Sequence, residues 1–167
     1  VLVYTESWEG KFRKSTYEAV CYASKTAKLL NTDVIAIAFG DESDDELKTL
    51  GSYGANKVLA ANSIEKSDNQ AISKLIANYS SGSSIIIFAN TYTAKMIAPR
   101  LAIKIKAGIA SNVINTPSSF DPIQTTRKSF SSKAIEKIKI NTTQAIIILA
   151  QNSFGISENI NDCKIEK

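Results

Sequence analysis

Histidine is absent from the 167-residue sequence, and cysteine occurs only twice, as Cys21 and Cys163. The absence of histidine excludes the usual Ser-His-Asp triad and removes the most common protein ligand of transition metals. Two cysteines are too few for a disulfide framework or for a structural zinc site. We therefore interpret both residues as unpaired thiols of a protein from a reducing compartment, and we expect no metal.

Glycine is also scarce, with only seven residues, at positions 10, 40, 51, 54, 82, 108 and 155. These positions cannot build a G-x-G-x-x-G fingerprint or a P-loop. The turn after the first apolar run carries Glu6 and Glu9, whose carboxylates would repel a phosphate. The two carboxylates could form an acid–base pair, but a solvated loop explains them more simply. We identify no catalytic residues.

No apolar run is long enough for a membrane helix, which needs about 20 residues. The longest runs are Val34–Phe39, Ile85–Ala89 and Ala145–Ala150, and all three have the length of strands. The first residues, Val1–Tyr4, have the pattern of a strand and not of a charged leader before an apolar region. We expect neither a signal peptide nor membrane insertion.

The net charge of +4 is distributed unevenly along the chain. Acidic residues cluster between Asp41 and Glu46. The stretch from 95 to 140 is basic and contains Lys95, Arg100, Lys104, Lys106, Arg127, Lys128, Lys133, Lys137 and Lys139. Such a stretch could bind nucleic acid or an acidic protein face. No aromatic residues alternate with these lysines, so we interpret the stretch as solvated surface and expect no nucleic-acid partner.

Strand-length apolar runs alternate with helical patterns over the first two thirds of the sequence. The stripes at 20–30, 72–79 and 94–105 repeat at helical spacing between the apolar runs. Capping boxes at Ser15–Glu18 and Ser67–Gln70 indicate two helix starts. This rhythm predicts an α/β fold of three layers, in which a mainly parallel, doubly wound sheet lies between helices. The runs near 1, 34, 85 and 145 should lie side by side in the same direction.

The rhythm changes after residue 111. Ile123–Phe130 and Ile135–Ile140 are polar and β-rich, and Ala145–Ala150 again has the pattern of a buried strand. We therefore predict a C-terminal β excursion at a sheet edge, followed by a return to the sheet interior. The segment Glu158–Lys167 is polar, and we expect it to be frayed.

Candidate ligand-binding residues follow from the predicted sheet. Open parallel sheets bind ligands beyond the carboxyl ends of their strands. The residues that fall there are Thr5, Glu6, Gly40, Asn90 and Thr91. They are our candidate cleft residues.

Four segments carry a resemblance to a known family. They are LVYTE at Leu2–Glu6, YGANKVL at Tyr53–Leu59, APRLA at Ala98–Ala102 and AGIASNV at Ala107–Val113. In this order and spacing they resemble the N-terminal domain of electron transfer flavoprotein alpha subunits, which carry YGADKVL, APRLA and G-x-x-SDV. Asn56 and Asn112 stand where the family has Asp. The last third departs from the pattern, because Asn152–Gly155 replaces the family's RPGAF without the Arg or the Pro.

The resemblance implies a sheet of the adenine-nucleotide-hydrolase-like type, with the domain at residues 1–155 and a polar tail or linker start at 156–167. It implies an electron carrier whose FAD is bound by a C-terminal domain, and no cofactor in this segment. The implied partners are a beta subunit, flavin dehydrogenases such as those of fatty acid oxidation, and a quinone oxidoreductase. The implied location is cytoplasmic, or the mitochondrial matrix in a eukaryote. We expect the chain to be a domain excised from a longer protein, the alternative being a natural short protein.

Two other functions are open to an α/β domain of this kind. A nucleotide-binding module resembling universal stress proteins would carry a glycine-rich phosphate loop after the fourth strand, where this sequence has Asn90–Thr93. An enzyme of the adenine-nucleotide hydrolase type would also need a phosphate-gripping loop. In the related beta subunit the equivalent domain binds AMP, whereas in the alpha subunit we expect an empty cleft.

Overall fold

A sheet of ten strands forms the centre of the protein in a computed structural model, which describes all of residues 1–167. The helices are α1 (Lys14–Leu30), α2 (Asp44–Ser52), α3 (Asn69–Tyr79) and α4 (Tyr92–Ile105). The strands are β1 (Leu2–Tyr4), β2 (Ser7–Trp8), β3 (Lys11–Phe12), β4 (Ile35–Phe39), β5 (Lys57–Ala61), β6 (Ile85–Ala89), β7 (Gly108–Val113), β8 (Ser119–Phe120), β9 (Ile123–Ser129), β10 (Ala134–Ile140), β11 (Ala145–Leu149) and β12 (Lys164–Glu166).

The strand order is β10-β9-β7-β11-β6-β1-β4-β5-β12, with β8 paired to β9, while β2 and β3 form a separate ribbon. In the part of this spatial order that runs from β7 through β11, β6, β1, β4 and β5 to β12, every neighbouring pair is parallel. The chain winds outward from β1 through β4 to β5, then crosses to β6 on the other side of β1. The predicted fold class is therefore confirmed, and the four apolar runs do lie side by side as β11, β6, β1 and β4.

Helices cover both faces of the sheet. Alternate residues of β1 and β6 point to opposite sides, so that Val3 and Ile87 share one apolar cluster with α1 and α2. Leu2 and Ile86 share the other cluster with α3 and α4. Burial on both faces explains why these strands are continuous aliphatic runs instead of alternating patterns. None of the four helices has the length and apolar character needed to cross a bilayer.

The β excursion is a hairpin at one edge of the sheet, as predicted. β9 and β10 pair antiparallel over seven residues each, from Ser129 opposite Ala134 to Ile123 opposite Ile140. Arg127 and Glu136 face each other on this hairpin with 2.7 Å between Nε and Oε2. β11 then returns between β6 and β7, which places the last apolar run inside the sheet.

The two predicted helix starts need correction. α1 begins at Lys14, so Ser15 lies inside its first turn, and the residue at the cap position, Arg13, makes no side-chain cap bond. At α3 the capping residue is Asp68 and not Ser67, because the Asp68 carboxylate accepts from the backbone N–H of Gln70 and Ala71. A carboxylate at this position also suits the positive end of the helix dipole.

The expectation of a frayed end at Glu158–Lys167 is wrong for the part that forms β12, which pairs in parallel with β5. Two backbone bonds hold the approach to this strand, from the N–H of Asn159 to the carbonyl of Ser52 and from the N–H of Asn161 to the carbonyl of Gly51. The sequence hides this docking because it rests largely on backbone bonds and amide side chains, with only Cys163 and Ile165 packed against the apolar core. Whether residues 156–167 begin a linker stays a prediction.

Gly51 provides a specific test of this docking. A Cβ at Gly51 would lie 2.6 Å from the Cβ of Cys163 and 3.1 Å from the carbonyl oxygen of Asn161. We expect Gly51→Ala to speed amide hydrogen exchange in residues 159–167 and to lower the free energy of unfolding by about 1–3 kcal/mol, although Ala favours helix. Ser52→Ala, at the next position of α2, is the control. A Gly51→Ala protein that gains stability without faster exchange would contradict this packing.

Burial raises the pKa of the Tyr4 and Tyr22 hydroxyls above the usual value of about 10. The folded state therefore keeps two protons that the unfolded chain releases, and their stabilisation is complete below about pH 10 and lost as the pH rises further. In urea titrations between about pH 9 and 11, the double variant Tyr4→Phe/Tyr22→Phe should lose less stability than the parent. Tyr92→Phe, at an exposed tyrosine, should follow the parent. Equal losses in all three proteins would refute the shift.

Candidate functional site

A cleft of about 610 Å³ opens where four parallel strands end at the same edge of the sheet. Glu6 follows β1, Asn90 follows β6, Gln151 follows β11, and Asn112 lies at the end of β7. The cleft lies over the boundary between β1 and β6, from which the chain winds in both directions. Open α/β sheets bind ligands at this kind of switch point, and the volume suits a small-molecule site. We call it the strand-end cleft.

The structure brings three of the five candidate cleft residues together, because Glu6, Asn90 and Thr91 all line the strand-end cleft. Thr5 is buried instead, and its hydroxyl donates to the carbonyl of Ile37 at 2.9 Å. Gly40 lies apart, at a separate depression of about 390 Å³ beyond β4.

The depression at Gly40 is partly filled by an internal ion pair. The Lys66 side chain occupies the space where a Cβ on Gly40 would lie, and the φ of +113° at Gly40 also favours glycine. Lys66 Nζ lies 2.8 Å from the buried Glu42 carboxylate and 2.5 Å from the hydroxyl oxygen of Ser7, which itself donates to Glu42. A buried carboxylate needs such partners, so we assign this cluster to the stability of the loops.

Glu6 connects the first strand to the start of α4. Its carboxylate oxygen Oε1 accepts from the hydroxyl of Thr93 at 3.1 Å, while the second oxygen, Oε2, is buried and has no hydrogen-bond partner. Thr91 caps α4 by accepting from the N–H of Ala94. The backbone of Glu6 is held in turn by the hydroxyl of Thr16, which donates to its carbonyl at 2.7 Å. The cleft thus contains one fixed carboxylate, and its unpaired oxygen is enclosed by the protein.

Side-chain amides form the opposite part of the cleft. Asn90 Nδ2 donates to Asn112 Oδ1 at 2.7 Å, and Gln151 Nε2 donates to the carbonyl of Asn90 at 2.7 Å. Asn112 has a φ of 57°, at the place where β7 and β11 lose their register. Asn tolerates this left-handed conformation better than most residues. These bonds tie the ends of β6, β7 and β11 to one another.

The charged lining of the strand-end cleft is mainly positive. The lining contains three cations, Arg13, Lys95 and Lys128, and only one carboxylate, that of Glu6. None of these three cations lies within 4 Å of a carboxylate oxygen, since the ion pairs of the protein involve other residues. Arg13 and Lys95 lie instead over the rings of Trp8 and Tyr92, at 5.0 and 5.6 Å. The cleft is suited to holding an anionic group.

The lining does not suit a flavin or a metal ion. Only two hydrophobic residues, Tyr92 and Ala150, line the cleft, whereas cofactor sites are mostly apolar with a few polar groups. The Glu6 carboxylate also disfavours a pyrophosphate at the floor. No cluster of three or more His, Cys, Asp or Glu side chains in the protein could hold a metal.

The family model of the electron transfer flavoprotein domain matches residues 1–166. The chain belongs to this family. Over 164 residues it is 26% identical to electron transfer flavoprotein subunit alpha of Bacillus subtilis. The aligned region covers 95% of this chain and 49% of that protein. The corresponding subunit of Syntrophomonas wolfei is 25% identical over 152 residues, and the aligned region covers 83% of this chain and 44% of that protein. These matches confirm the resemblance to alpha subunits.

A third relative has a different name. It is the acryloyl-CoA reductase electron transfer subunit beta of Anaerotignum propionicum, 24% identical over 116 residues that cover 67% of this chain and 32% of that protein. The chain, called the flavoprotein domain below after the family that matches residues 1–166, spans about half or less of the length of these curated relatives.

Glu18 has a structural role in the flavoprotein domain that the sequence did not reveal. Predicted as part of a capping box, it is instead buried and reaches the loop after β11. Its carboxylate accepts from the backbone N–H of Asn152 at 2.9 Å, Phe154 at 2.8 Å and Gly155 at 3.2 Å. The loop is the one that departs from the family's RPGAF, and it begins beside Gln151 at the cleft.

Several residues of the cleft were not predicted. Asn112 and Gln151 could have been found by the same rule that gave Asn90, because each lies at the carboxyl end of a strand. Lys95 and Lys128 were recognised as members of the basic stretch but were interpreted as solvated surface. Arg13 gave no signal, because it reaches the cleft only through the packing of the β2–β3 ribbon and α1.

Removing one oxygen of Glu18 should destabilise the flavoprotein domain. In Glu18→Gln the side chain keeps its shape, but an NH₂ group replaces one acceptor and faces backbone N–H donors. We expect the free energy of unfolding to fall by about 2–3 kcal/mol, as for a buried charged hydrogen bond that is lost. Urea denaturation measures the change. Glu158→Gln, at an exposed glutamate, should stay within about 0.5 kcal/mol of the parent, and equal stability of the two variants would contradict the role of Glu18.

Proposed function

We propose that the flavoprotein domain is the architectural N-terminal half of an electron transfer flavoprotein alpha subunit. The observation that carries this proposal is the family match over residues 1–166 in a chain about half as long as its alpha-subunit relatives. In this arrangement the domain holds no redox group. The remaining half of the subunit binds FAD, and this domain gives it a rigid base.

The cleft chemistry supports the placement of FAD elsewhere. A flavin carries out the electron transfer itself, and the protein around it supplies binding, orientation and electrostatic tuning. Such a site needs an extended apolar surface for the ring system, and the polar lining around Glu6, Asn90 and Lys95 does not supply one. The sheet beneath it is buried on both faces and well suited to a fixed support.

The proposed partners follow from the relatives. A subunit named alpha pairs with a beta subunit, and we propose that this domain packs against such a subunit in a heterodimer. The complete protein would accept electrons from flavin dehydrogenases and pass them to a quinone oxidoreductase. The acryloyl-CoA reductase electron transfer subunit supports a link to enzymes that act on CoA esters.

A second candidate function is a nucleotide-binding module resembling universal stress proteins. The position of the cationic strand-end cleft at the switch point favours it. The Glu6 carboxylate and the lack of a glycine-rich loop between Asn90 and Thr93 count against it. Calorimetric titration with AMP and ATP separates the two functions, and we expect no saturable binding at micromolar concentration.

Optical absorption tests the main proposal. The 167-residue chain, purified alone, should have no flavin absorption in the visible range. A chimera that joins residues 1–167 to the C-terminal half of the Bacillus subtilis relative, co-expressed with a beta subunit, should purify as a yellow heterodimer with about one flavin per alpha chain. A stoichiometric flavin on the isolated chain would contradict the proposal, as would a folded chimera that fails to bind the beta subunit.

A further inference from the structure

Three exposed aromatic side chains lie in the strand-end cleft or beside residues that line it. Trp8 is 63% exposed, Tyr92 is 87% exposed and Phe130 is 84% exposed. Tyr92 lines the cleft, Trp8 lies beneath Arg13, and Phe130 is in the turn between Lys128 and Ser132, which both line the cleft. We call these three residues the aromatic rim. Exposed aromatic residues next to arginine are typical of the energetic centres of protein interfaces.

The three cations of the cleft are neighbours of the residues in the aromatic rim. Arg13 covers one face of Trp8, Lys95 covers one face of Tyr92, and Lys128 is two residues from Phe130. Because no carboxylate of the protein lies within 4 Å of these cations, their charge is available to a partner.

The turn that carries Phe130 is conformationally unusual. Phe130, Ser131 and Ser132 have φ angles of 53°, 52° and 65°, and none of them is glycine. A left-handed backbone is uncommon for non-glycine residues and disfavoured for a bulky side chain such as phenylalanine. Strained positions cluster where a protein binds other molecules. Here the strain places an aromatic ring in solvent at the edge of the cleft.

We propose that the aromatic rim and the three cations form a docking surface for an acidic segment of a partner protein. Carboxylates of the segment would pair with Arg13, Lys95 and Lys128. Its apolar side chains would cover Tyr92 and Phe130. This surface goes beyond the proposed scaffold function and does not depend on the presence of a flavin.

The geometry favours a protein segment over a nucleotide or a nucleic acid. Trp8 and Tyr92 each have one face covered by a cation of the domain itself, which leaves less ring surface for stacking bases. A small ligand at the floor of the cleft would leave Phe130 in solvent and would bring its phosphate near the Glu6 carboxylate. An extended peptide can cover the whole rim.

A second copy of the chain does not fit as the partner. Three of the five acidic residues between 41 and 46 have close partners within the molecule, and the other two, Asp41 and Asp45, are exposed. Glu42 pairs with Lys66, Asp44 with Lys167, and the Glu46 carboxylate accepts from the N–H of Phe12. We therefore assign the acidic segment to another protein.

Trp8 is the only tryptophan and reports on the surface directly. The probe is a synthetic peptide of four Glu-Leu-Asp repeats, added to the 167-residue chain while tryptophan emission is recorded. We expect a saturable change in emission, and binding that weakens several-fold between about 50 and 300 mM salt because the ion pairs are screened. The neutral peptide of four Gln-Leu-Asn repeats, an AMP titration and a single-stranded oligothymidylate are the comparisons.

Matched variants locate the binding. Lys95→Glu/Lys128→Glu should weaken the acidic peptide at least tenfold, and Phe130→Ser should weaken it about tenfold. Lys74→Glu/Lys104→Glu, which reverses two exposed charges away from the cleft, should stay within about twofold of the parent. Urea denaturation confirms that each variant is folded. The proposal would be overturned if the acidic peptide did not bind, or if the neutral peptide bound equally well. Tighter binding of AMP or oligothymidylate, or equal weakening by both charge reversals, would also overturn it.

Discussion

Parallel pairing of β11, β6, β1 and β4 is the constraint on which the rest of the structure depends. Since these strands run in one direction, their carboxyl ends reach the same edge of the sheet. Glu6, Asn90 and Gln151 meet there although they are far apart in sequence. Because helices bury both faces, the strands cannot shift register without exposing aliphatic side chains to water. The sheet therefore fixes the positions of the polar groups at its edge.

Much of this arrangement could be predicted from the sequence, because apolar runs of strand length report directly on burial. The fold class, the edge hairpin at β9 and β10 and three of the cleft positions followed from that pattern. Long-range polar contacts could not be predicted. Glu18 bonds to a loop more than 130 residues away, and β12 docks through backbone groups that every residue possesses. The capping-box pattern at Ser15–Glu18 misplaced the helix start, because Glu18 makes a tertiary contact instead of a local one.

The strand-end cleft also shows how surface chemistry depends on folding. Along the sequence no aromatic residue alternates with the lysines of residues 95–140, and the stretch has the character of ordinary solvated surface. The fold brings Trp8, Tyr92 and Phe130 from three separate elements to the edge of one cationic cleft. For a domain that we propose to be a scaffold without a redox group, surfaces that bind partners are the functional sites. The rigid sheet holds the elements of such a surface in place.

The direction of the central strands is tested most directly by nuclear Overhauser effects between backbone protons in isotope-labelled protein. Parallel pairing predicts contacts that join Val3 to Ile87 and Ile87 to Ile147, in the register of the sheet. Antiparallel contacts between these strands would place Asn90 and Gln151 at opposite edges. The strand-end cleft would then not exist, and the parallel arrangement of the sheet would be refuted.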